Sequence, residues 1–562
     1  MSTSEFMPKI TADIITWERI QFTFVGRTEN ISPESVEFCL INEDTDEIVY
    51  INDIQFQKER FLIRINITTI YGDRSLLPNG KWNMFAKSIK TGALLPVIAA
   101  ARLFSDEGYA DRFVRLGREE KLNRFAKTYT KGSLWSYTIA PAVNSGDRLY
   151  INVNYIHPEP DSWLTKTNKL FKKIFSPLLN SVLRLGFFTV YNTTKLLTGH
   201  KGNRLVFCSD SRADLSGNMQ NVYNRMVERG LDKQFKISFI LKSNVKARRG
   251  LIDKFRAPFL LAKADIVIID DFNPTVKQLK FKPCVKVIQL WHACGAFKTV
   301  CFSRTGKPGG PFLTNNNHRA YTHAIASSSH VARFYCEAFG MRPESVLPTG
   351  VPRTDIFFDE NYKKATISSL YEAIPQIKDK RVIMFAPTFR GKGAKTGHYP
   401  LHTLDMYSLA ELCRRTNSVF IFKMHPFVKD VVSIPDELSD VLIDESNERE
   451  INNLLFVTDL LITDYSSVIY EASILNIPML FFAYDLQEYI SSRDFYEPFE
   501  GFVPGKIVST FDQLIAAIES NDYEQEKVKP FCEKNFEYRD GGSTDRVIDW
   551  LILNDLPEKY RS

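Results

Sequence analysis

The chain has 562 residues, of which 44% are hydrophobic and 25% are charged. This is the composition of an ordinary globular protein, and it excludes a disordered, collagen-like or mostly membrane-embedded chain. The formal net charge of +6 is only mildly basic, and this composition is not that of a nucleic-acid-binding protein.

The length of the chain limits the number of domains, and its cysteines limit the kinds of cross-link or metal site. At ~100–200 residues per domain, the length predicts about three or four domains. The eight cysteines form no C-x-x-C pair and are spread along the chain, which is typical of reduced cytosolic thiols and not of a disulfide framework or a zinc site. The first residues show no secretory signal, and no run of about 18 apolar residues predicts a membrane-spanning helix.

Residues 1–155 have the pattern of half-buried antiparallel strands. Apolar and polar residues alternate with a period of two, and turn residues separate the runs. The apolar positions of three such runs are Ile20, Phe22, Phe24, Val36, Phe38, Leu40, Phe61, Ile63, Ile65 and Ile67. We predict a β-sandwich-like accessory domain. It contains no catalytic constellation, so it is interpreted either as a structural module or as a domain that positions a substrate.

Residues 156–203 combine an apolar helical stripe with a cationic face. No Asp or Glu occurs between Asp161 and Asp210, and Pro177 predicts a kink or a break in the helix. Such a segment suits an anionic bilayer surface, where each Lys or Arg adds ~1 kcal/mol of attraction. We predict a basic, membrane-associating segment, and an amphipathic linker helix packed on the next domain is the alternative. The predicted membrane-facing cations are Lys166, Lys169, Lys172, Lys173 and Arg184.

From residue 204 short apolar strands alternate with helices, and the pattern restarts after about residue 355. This alternation is typical of parallel, doubly wound sheets. We predict an α/β fold with two Rossmann-like domains, 204–355 and 356–562, that face a cleft and bind ligands outside the carboxyl ends of their strands. The predicted strands are Leu205–Cys208, Ile237–Leu241, Ile266–Asp270, Val285–Leu290, Val382–Phe385, Val419–Lys423, Val441–Ile443, Leu460–Thr463 and Met479–Phe482.

The first chemical motif, Trp-His-Ala-Cys-Gly-Ala-Phe-Lys at 291–298, follows a predicted strand. Gly295 allows a tight turn with the backbone close to a ligand. His292 then lies at the strand tip, where a side chain whose pKa is near neutrality serves as a general base. Lys298 is available to a phosphate. The alternative is a packed, structural histidine.

Two further motifs end predicted strands with cations and hydroxyls. Ala-Pro-Thr-Phe-Arg-Gly at 386–391 supplies the Thr388 hydroxyl and the planar fork of Arg390, which suits phosphate. Lys-Met-His-Pro at 423–426 places a cation beside an imidazole, a pair suited to neutralising a pyrophosphate or to protonating its leaving group. For His425 the alternative is a buried residue that caps the strand.

The fourth motif, Thr-Asp-Tyr-Ser-Ser-Val-Ile-Tyr-Glu-Ala at 463–472, leads from a strand into a helix. The amides of a helix N-terminus and the hydroxyls of Ser466 and Ser467 form an anion site. Asp464 is the predicted N-cap, and plain capping is the alternative interpretation. No Walker-type loop, Rossmann glycine fingerprint or acidic metal cluster is present, so we expect neither a cofactor nor a metal.

With these motifs the chain resembles the CDP-glycerol glycerophosphotransferase family, the teichoic acid primases and polymerases. The matching words are WHACGAFK, GVPRTD (350–355), APTFRG, KMHP and TDYSSVIYEA, and WERIQF (17–22) matches more loosely. The resemblance covers roughly residues 200–550. It implies a GT-B-type fold and transfer of an alditol phosphate from a CDP-alditol to the terminal hydroxyl of a lipid-linked acceptor. It also implies release of CMP and a place at the cytoplasmic membrane face.

The resemblance implies the site residues as well. His292 takes the position of the presumed base, and His425 is the second predicted catalytic residue. The predicted substrate-binding residues are Trp291, His292, Ala293, Cys294, Gly295, Arg353, Pro387, Thr388, Arg390, Lys423, Met424, His425, Asp464, Ser466, Ser467 and Glu471. Residues 493–496 read Arg-Asp-Phe-Tyr where the family often has Arg-Gly-Phe-Tyr, which leaves a donor contact from this loop open.

The sequence therefore predicts a peripheral membrane enzyme of teichoic acid synthesis. Its expected partners are a CDP-alditol donor, a lipid-linked polyol-phosphate acceptor and an anionic membrane surface, with no nucleic acid. A nucleotide-sugar glycosyltransferase of the same architecture and a catalytically silent membrane-bound scaffold are the alternatives. The sequence leaves open whether the alditol is glycerol or ribitol, whether one unit or many are added, and whether the chain forms a homo-oligomer.

Overall fold

In the part of the chain that it describes, the computed structural model shows a mixed α/β fold with three β-sheets. One sheet is formed by residues up to 156, and the other two by residues from 204 onward. The described residues are 7–72, 75–100, 103, 122–131, 135–144, 146–156, 178–243, 249–307, 310–391, 396–428, 432–448 and 450–561.

The N-terminal residues form a sheet of 11 strands. These strands are β1 (Lys9–Glu18), β2 (Gln21–Glu29), β3 (Val36–Asn42), β4 (Ile48–Tyr50), β5 (Ile54–Gln57), β6 (Arg60–Asn66), β7 (Gly80–Ser88), β8 (Leu94–Ala99), β9 (Lys127–Lys131), β10 (Trp135–Val143) and β11 (Leu149–Ile156). Their order is β5-β6-β2-β1-β8-β7-β11-β10-β9, and β3 pairs with β7 and β4. Strands β1 and β8 pair in parallel, and the other neighbouring strands of this sheet pair antiparallel.

This sheet curls around one hydrophobic core, as its alternating sequence requires. In β6 the side chains of Phe61, Ile63 and Ile65 are at most 1% exposed, whereas the residues between them are less buried. Phe38 of β3 lies 4.7 Å from Phe61 between ring centroids, although β3 and β6 are not neighbours in the sheet. Contact between distant strands shows that the sheet folds over on itself. The prediction of strands from the period of two is confirmed.

The second sheet has six parallel strands, and with its helices it is called the first lobe. The strands are β12 (Arg204–Ser209), β13 (Lys236–Leu241), β14 (Ile266–Ile269), β15 (Lys286–Gln289), β16 (His323–Ile325) and β17 (Val346–Leu347). The helices are α1 (Leu178–Leu197), α2 (Gly217–Glu228), α3 (Leu251–Lys263), α4 (Pro274–Lys277) and α5 (Ser329–Phe339). In the order β13-β12-β14-β15-β16-β17, the direction of strand addition reverses between β12 and β14.

The third sheet also has six parallel strands, and with its helices it is called the second lobe. The strands are β18 (Arg381–Phe385), β19 (Ser418–Phe422), β20 (Leu442–Asp444), β21 (Leu460–Thr463), β22 (Met479–Phe482) and β23 (Lys506–Val508). The helices are α6 (Glu360–Ala373), α7 (Met406–Arg415), α8 (Ile451–Leu455), α9 (Val468–Ile474), α10 (Leu486–Ser492), α11 (Phe499–Phe502), α12 (Phe511–Ser520) and α13 (Val528–Asn535). A further helix, α14 (Ser543–Arg546), follows them in the chain and packs on the first lobe. The order β20-β19-β18-β21-β22-β23 reverses between β18 and β21, the point where ligands bind in such sheets.

The end of the chain returns from the second lobe to the first. A π-helix, Val547–Ile552, follows α14, and its residue Leu551 packs in one hydrophobic cluster with Leu205 of β12. In α14, Asp545 forms an ion pair of 2.8 Å with Arg225 of α2. The range 356–562 therefore contains a terminal segment that covers the sheet of the first lobe.

The predicted strands of the two lobes are confirmed to within one residue at either end. Strands β16, β17 and β23 escaped prediction. They are only two or three residues long, which is too short for an apolar run to be distinguished from a buried loop.

Helix α1 is described over Leu178–Leu197, and Pro177, which predicted a kink or a break, lies outside the described residues. It packs on the first lobe, where the Tyr191 hydroxyl donates to the Lys280 carbonyl at 3.1 Å. Arg184 of α1 is exposed. The predicted cations Lys166, Lys169, Lys172 and Lys173 lie outside the described residues. Among the helices that the structure describes, none has both the length and the apolar character needed to cross a bilayer.

The N-terminal sheet is joined to α5 of the first lobe by a buried ion pair. Arg19, in the turn between β1 and β2, donates from Nε to Glu337 Oε1 at 2.6 Å and from Nη2 to Oε2 at 2.9 Å. The Glu337 side chain is 1% exposed. Burial raises the pKa of Glu337, and the guanidinium opposes that change. The two-pronged geometry fixes the sheet against the lobe.

The two lobes meet where the first motif contacts α9. Gly295 lies against the ring of Tyr470, and a Cβ at this position would overlap that ring. Arg353 forms an ion pair with Glu471, whose Oε1 also accepts from the Cys294 thiol at 3.3 Å. This contact fixes the turn after β15 relative to the second lobe. Gly295 is therefore required by packing between the lobes, whereas the sequence predicted a close approach to a ligand.

Replacing Arg19 tests the anchoring ion pair. Arg19→Met leaves the Glu337 carboxylate buried without its partner, so we expect the free energy of unfolding to fall by about 3–5 kcal/mol. The double variant Arg19→Met/Glu337→Met removes both charges and recovers much of that loss. Urea unfolding of the parent and both variants measures the difference, and a single variant as stable as the parent contradicts the anchoring role.

Replacing Gly295 tests the contact between the lobes. Gly295→Ala forces a methyl group against the Tyr470 ring, so we expect a loss of about 1–3 kcal/mol in stability and a displaced turn after β15. Gly501→Ala is the matched control, because a Cβ there meets no heavy atom within 4 Å. Thermal unfolding compares the two, and equal effects would show that the packing argument is wrong.

Candidate active site

Loops at the carboxyl ends of strands in both lobes border one cleft of about 610 Å³. The first lobe contributes the loops after β12, β13, β14, β15 and β17, and the second contributes the loop after β19. The lining residues are Ser211, Arg212, Ala213, Ser243, Asp270, Asp271, His292, Arg353, His425 and Pro426. Three predicted site residues, His292, Arg353 and His425, thus meet where such sheets bind ligands.

His292 is held by a strained turn and a buried amide. Trp291 has a φ of 53°, which is unusual for a bulky residue, and its indole lies 4.4 Å from the His292 ring. The side chain of Asn218 in α2 donates to the carbonyls of Leu290 at 3.2 Å and Trp291 at 2.9 Å. Its Oδ1 accepts from the Arg353 amide at 2.9 Å. One buried amide therefore positions both His292 and Arg353.

The imidazole of His292 faces a carboxylate. Its Nδ1 is 3.6 Å from Asp271 Oδ1, and the side chain is 45% exposed toward the cleft. Exclusion of water by the surrounding protein lowers the pKa of His292, while Asp271 raises it and Arg353 lowers it further. A neutral imidazole at neutral pH accepts a proton, so this geometry suits a general base.

His425 enters the cleft from the second lobe. Its Nδ1 accepts from the Phe427 amide at 3.0 Å, and its ring centroid lies 4.7 Å from that of Phe389. Burial lowers the pKa of His425 to about 4, and the nearby cations Lys298 and Lys423 contribute to the change. His425 is therefore neutral at neutral pH.

Arg353 lines the cleft, whereas its partner Glu471 is buried. The Arg353 side chain is 26% exposed and that of Glu471 is 2% exposed. The Glu471 carboxylate accepts from Arg353 and from the Cys294 thiol. The structure thus places Glu471, a predicted substrate-binding residue, where it orients Arg353.

The guanidinium of Arg390 is already bound within the second lobe. Its Nε and Nη2 donate to the two Asp485 carboxylate oxygens at 2.5 and 2.8 Å. Its Nη1 lies 2.9 Å from Asp464 Oδ2. The rings that surround it at 5.2–5.4 Å are those of Tyr399, Tyr465, Tyr484 and Tyr489. The guanidinium predicted to bind phosphate therefore holds together the loops after β18, β21 and β22.

Asp464 is not the N-cap of α9, because Ser467 occupies that position. Asp464 is fully buried, and its Oδ1 accepts from the Thr388 amide at 2.7 Å. This bond joins the loops on either side of the strand reversal. Ser466 and Ser467 remain half-buried at the start of α9, and the Ser466 hydroxyl accepts from the Val468 amide at 3.4 Å.

The remaining predicted residues support the turns and do not line this cleft. Lys423 Nζ donates to the Ser446 carbonyl at 3.3 Å, and the Met424 amide donates to the Ser446 hydroxyl at 3.1 Å. Both contacts fix the turn before His425. Among these remaining predicted residues, Ala293 is half-buried. The buried ones are Trp291, Cys294, Gly295, Pro387, Thr388, Lys423 and Met424.

Several cleft residues escaped the sequence reasoning. Asp270 and Asp271 follow β14, and Arg212 follows β12, on either side of the strand reversal in the first lobe. Asp270 is 3% exposed and lies 2.9 Å from Arg212 Nε. The available signal was charged residues directly after apolar strands, in the words SDSR (209–212) and DDF (270–272). Within the described ranges, no group of three or more His, Cys, Asp or Glu side chains is arranged to hold a metal ion.

Comparison with known proteins agrees with the motifs. The model of the CDP-glycerol:poly(glycerophosphate) glycerophosphotransferase family matches residues 190–553. The teichoic acid ribitol-phosphate polymerase TarL of Staphylococcus aureus is 42% identical over 96% of this chain and 98% of its own. TarK, a ribitol-phosphate polymerase of the same organism, is 47% identical over 76% of this chain and 84% of its own. The teichoic acid poly(ribitol-phosphate) polymerase of Bacillus spizizenii is 37% identical over 88% of this chain and 78% of its own.

A solved structure shares the fold. The wall teichoic acid polymerase TagF superposes with a TM-score of 0.54 at 21% identity, covering 71% of this chain and 100% of that chain. The family model spans more than half of the chain, and it includes every motif that contributes to the cleft. The chain therefore belongs to the CDP-glycerol:poly(glycerophosphate) glycerophosphotransferase family and is a CDP-alditol phosphotransferase of teichoic acid synthesis.

Proposed function

We propose that this enzyme is a ribitol-phosphate polymerase. It transfers ribitol phosphate from CDP-ribitol to the terminal hydroxyl of a lipid-linked polyol-phosphate acceptor and releases CMP. Three relatives at 37–47% identity, each named a ribitol-phosphate polymerase, support the choice of ribitol and of repeated addition. The convergence of His292, Arg353 and His425 on one cleft is the observation on which the catalytic role depends.

The reaction is a direct phosphoryl transfer with no covalent enzyme intermediate. His292 takes the proton of the acceptor hydroxyl, and the oxygen attacks the phosphorus that bears the alditol. A new bond forms between that oxygen and the phosphorus while the bond from the phosphorus to CMP breaks. A positioned general base contributes typically ~10²–10⁴-fold to such a step.

Charge that develops on the diphosphate is met by groups from both lobes. Arg353 and His425 face the cleft, and the half-buried hydroxyls of Ser466 and Ser467 stand at the carboxyl edge of the second sheet. Fixed donors of this kind cost no reorganisation during the reaction, which is why they are usually the largest catalytic contribution. Lys423 is a buried cation near His425, and its positive charge adds to the stabilisation of the diphosphate.

We also propose a GT-B-type arrangement of domains. It comprises a β-sandwich-like domain at 1–155, a membrane-associating segment at 156–203, and Rossmann-like domains at 204–355 and 356–562. The curled N-terminal sheet and the two parallel sheets around one cleft support it. The CMP moiety then lies against the second lobe, and the acceptor enters from the first.

Helices α1 and α3 support a peripheral position on the cytoplasmic face of the membrane. They pack together and expose large apolar side chains, including Leu185, Leu196 and Ile252, which are 69%, 85% and 81% exposed. The two helices also carry the cations Arg184, Lys195, Lys254, Arg256 and Lys263, against one acidic residue, Asp253. An apolar patch with a basic rim suits the boundary of an anionic bilayer. Helix α1 of this α1–α3 surface belongs to the basic segment 156–203.

A donor screen tests the function. We expect the purified enzyme and a lipid-linked acceptor to release CMP from CDP-ribitol in preference to CDP-glycerol, with a product that grows by many units on a sizing gel. His292→Ala lowers turnover by about 10²–10⁴-fold and leaves CDP-ribitol binding measurable. His402→Ala, which replaces an exposed histidine of the second lobe, is the matched control.

Three outcomes of these measurements would contradict the proposal. Turnover of UDP-sugars alone would make the protein a glycosyltransferase, and no turnover of any donor would favour a scaffold. Wild-type turnover in the His292→Ala variant would exclude this residue as the base.

Charge reversal in the basic segment tests the membrane surface. Lys169→Glu/Lys172→Glu/Lys173→Glu removes three attractive charges, so we expect binding to vesicles with anionic lipid to fall by about 100-fold or more. The matched control makes the same change in charge on the second lobe, at Lys363, Lys364 and Lys378. Sedimentation with vesicles measures the binding of both variants. Equal binding of the two would contradict membrane association and favour the alternative, a linker helix packed on the next domain.

A further inference from the structure

The two imidazoles of the cleft differ in what faces their Nδ1 atoms. Nδ1 of His292 is 3.6 Å from a carboxylate oxygen of Asp271. Nδ1 of His425 accepts a hydrogen bond from the Phe427 amide at 3.0 Å. A carboxylate accepts hydrogen bonds and an amide N–H donates them, so the two contacts favour opposite placements of the single ring proton.

We propose that Asp271 is the positioning residue for His292 and that the cleft holds its two histidines in opposite neutral tautomers. His292 has its proton on Nδ1 and offers the Nε2 lone pair to the acceptor hydroxyl. His425 has its proton on Nε2 and donates it, as a hydrogen bond, to a phosphoryl oxygen of the donor. The roles of the two rings rest on the proposed function, whereas the tautomers do not.

Asp271 is the carboxylate available to His292. The charged groups around this ring are Asp270, Asp271, Arg212 and Arg353. Asp270 lies 2.9 Å from Arg212, and Arg353 is paired with a buried glutamate of α9. The Asp271 carboxylate is itself oriented, because its Oδ1 accepts from the Phe272 amide at 2.6 Å.

The 3.6 Å separation is longer than a hydrogen bond. Catalytic hydrogen bonds are commonly long without substrate and shorten in the reactive complex. When His292 takes the proton of the acceptor hydroxyl, the ring becomes an imidazolium with a proton on each nitrogen. The Asp271 carboxylate then stabilises the new positive charge, and it does not take the proton itself.

His425 is unsuited to act as a second base. Its Nδ1 lone pair is occupied by the Phe427 amide, and its Nε2 already bears the proton. The charged groups around this ring are the cations Lys298 and Lys423, which together with burial disfavour the imidazolium. A neutral ring with a fixed N–H can donate to phosphate without releasing its proton. The reaction therefore needs proton transfer at His292 only.

Nitrogen-15 NMR of the full-length enzyme with labelled histidine tests the tautomers directly. The chain has nine histidines, and the signals of interest are assigned by their loss in His292→Gln and His425→Gln. At pH 7.5 without substrate, we expect the Nδ1–H form for His292 and the Nε2–H form for His425. The same tautomer for both rings, or the reverse assignment, overturns the proposal.

Variants of Asp271 separate positioning from a structural role. In Asp271→Asn we expect His292 to lose its preference for Nδ1–H and kcat to fall about 10-fold or more. Because Asp271 raises the pKa of His292, its removal moves the acidic limb of kcat/KM to lower pH. Asp271→Glu restores part of both effects. The control Asp232→Asn, in the turn beyond the end of α2 that is remote from the cleft, changes neither. If Asp271→Asn changes neither the acidic limb of kcat/KM nor the tautomer of His292, Asp271 is not the positioning residue for His292.

The NMR measurement and the turnover of the variants test separate parts of the proposal. If the tautomers are as expected but His292→Ala retains full turnover, the proposed function of the base is wrong and the arrangement of the rings stands. If His425→Gln, which keeps an N–H donor, is no more active than His425→Leu, the donor role of His425 is wrong.

Discussion

The contact between the turn after β15 and helix α9 holds the two lobes in the arrangement that makes a site. Gly295 leaves room for the ring of Tyr470, and Glu471 binds Arg353 at the same place. A buried carboxylate is stable only with partners, so Glu471 favours the joined arrangement. The same turn bears His292. The packing of the lobes therefore also fixes the position of His292, and neither lobe alone contains the complete cleft.

Both walls of the cleft carry charged or polar groups. On the first lobe, Asp270 and Asp271 lie beside His292, and Arg212 and Arg353 line the same wall. On the second lobe, His425 is neutral, and the cations that act on its ring are Lys423 of the same lobe and Lys298 of the first. Burial lowers the pKa of Lys298 to about 8, as expected for a cation that lacks water. Among the residues that line the cleft, the carboxylates therefore come from the first lobe, whereas cations approach the cleft from both lobes.

The sequence predicted the positions of strands much better than it predicted which groups the polar side chains bind. The period of two located the N-terminal strands, and short apolar runs located most strands of both lobes. Each motif was correctly placed at a strand end. Arg390 shows where this reasoning fails: its guanidinium was predicted to bind phosphate, yet it binds Asp485, which lies far along the chain. Asn218 was missed for the same reason, since its role comes from contacts with the turn after β15.

By itself the sequence determined the mixed α/β class, the family and three residues of the cleft, His292, Arg353 and His425, because period, spacing and order of motifs are local properties of the chain. Only the tertiary structure decided which polar groups face the cleft and which bind one another inside the lobes. That choice depends on partners distant in sequence, such as Glu471 for Arg353 and Asp485 for Arg390. A charged side chain that is buried takes the nearest compensating group, and no local pattern reveals which group that is.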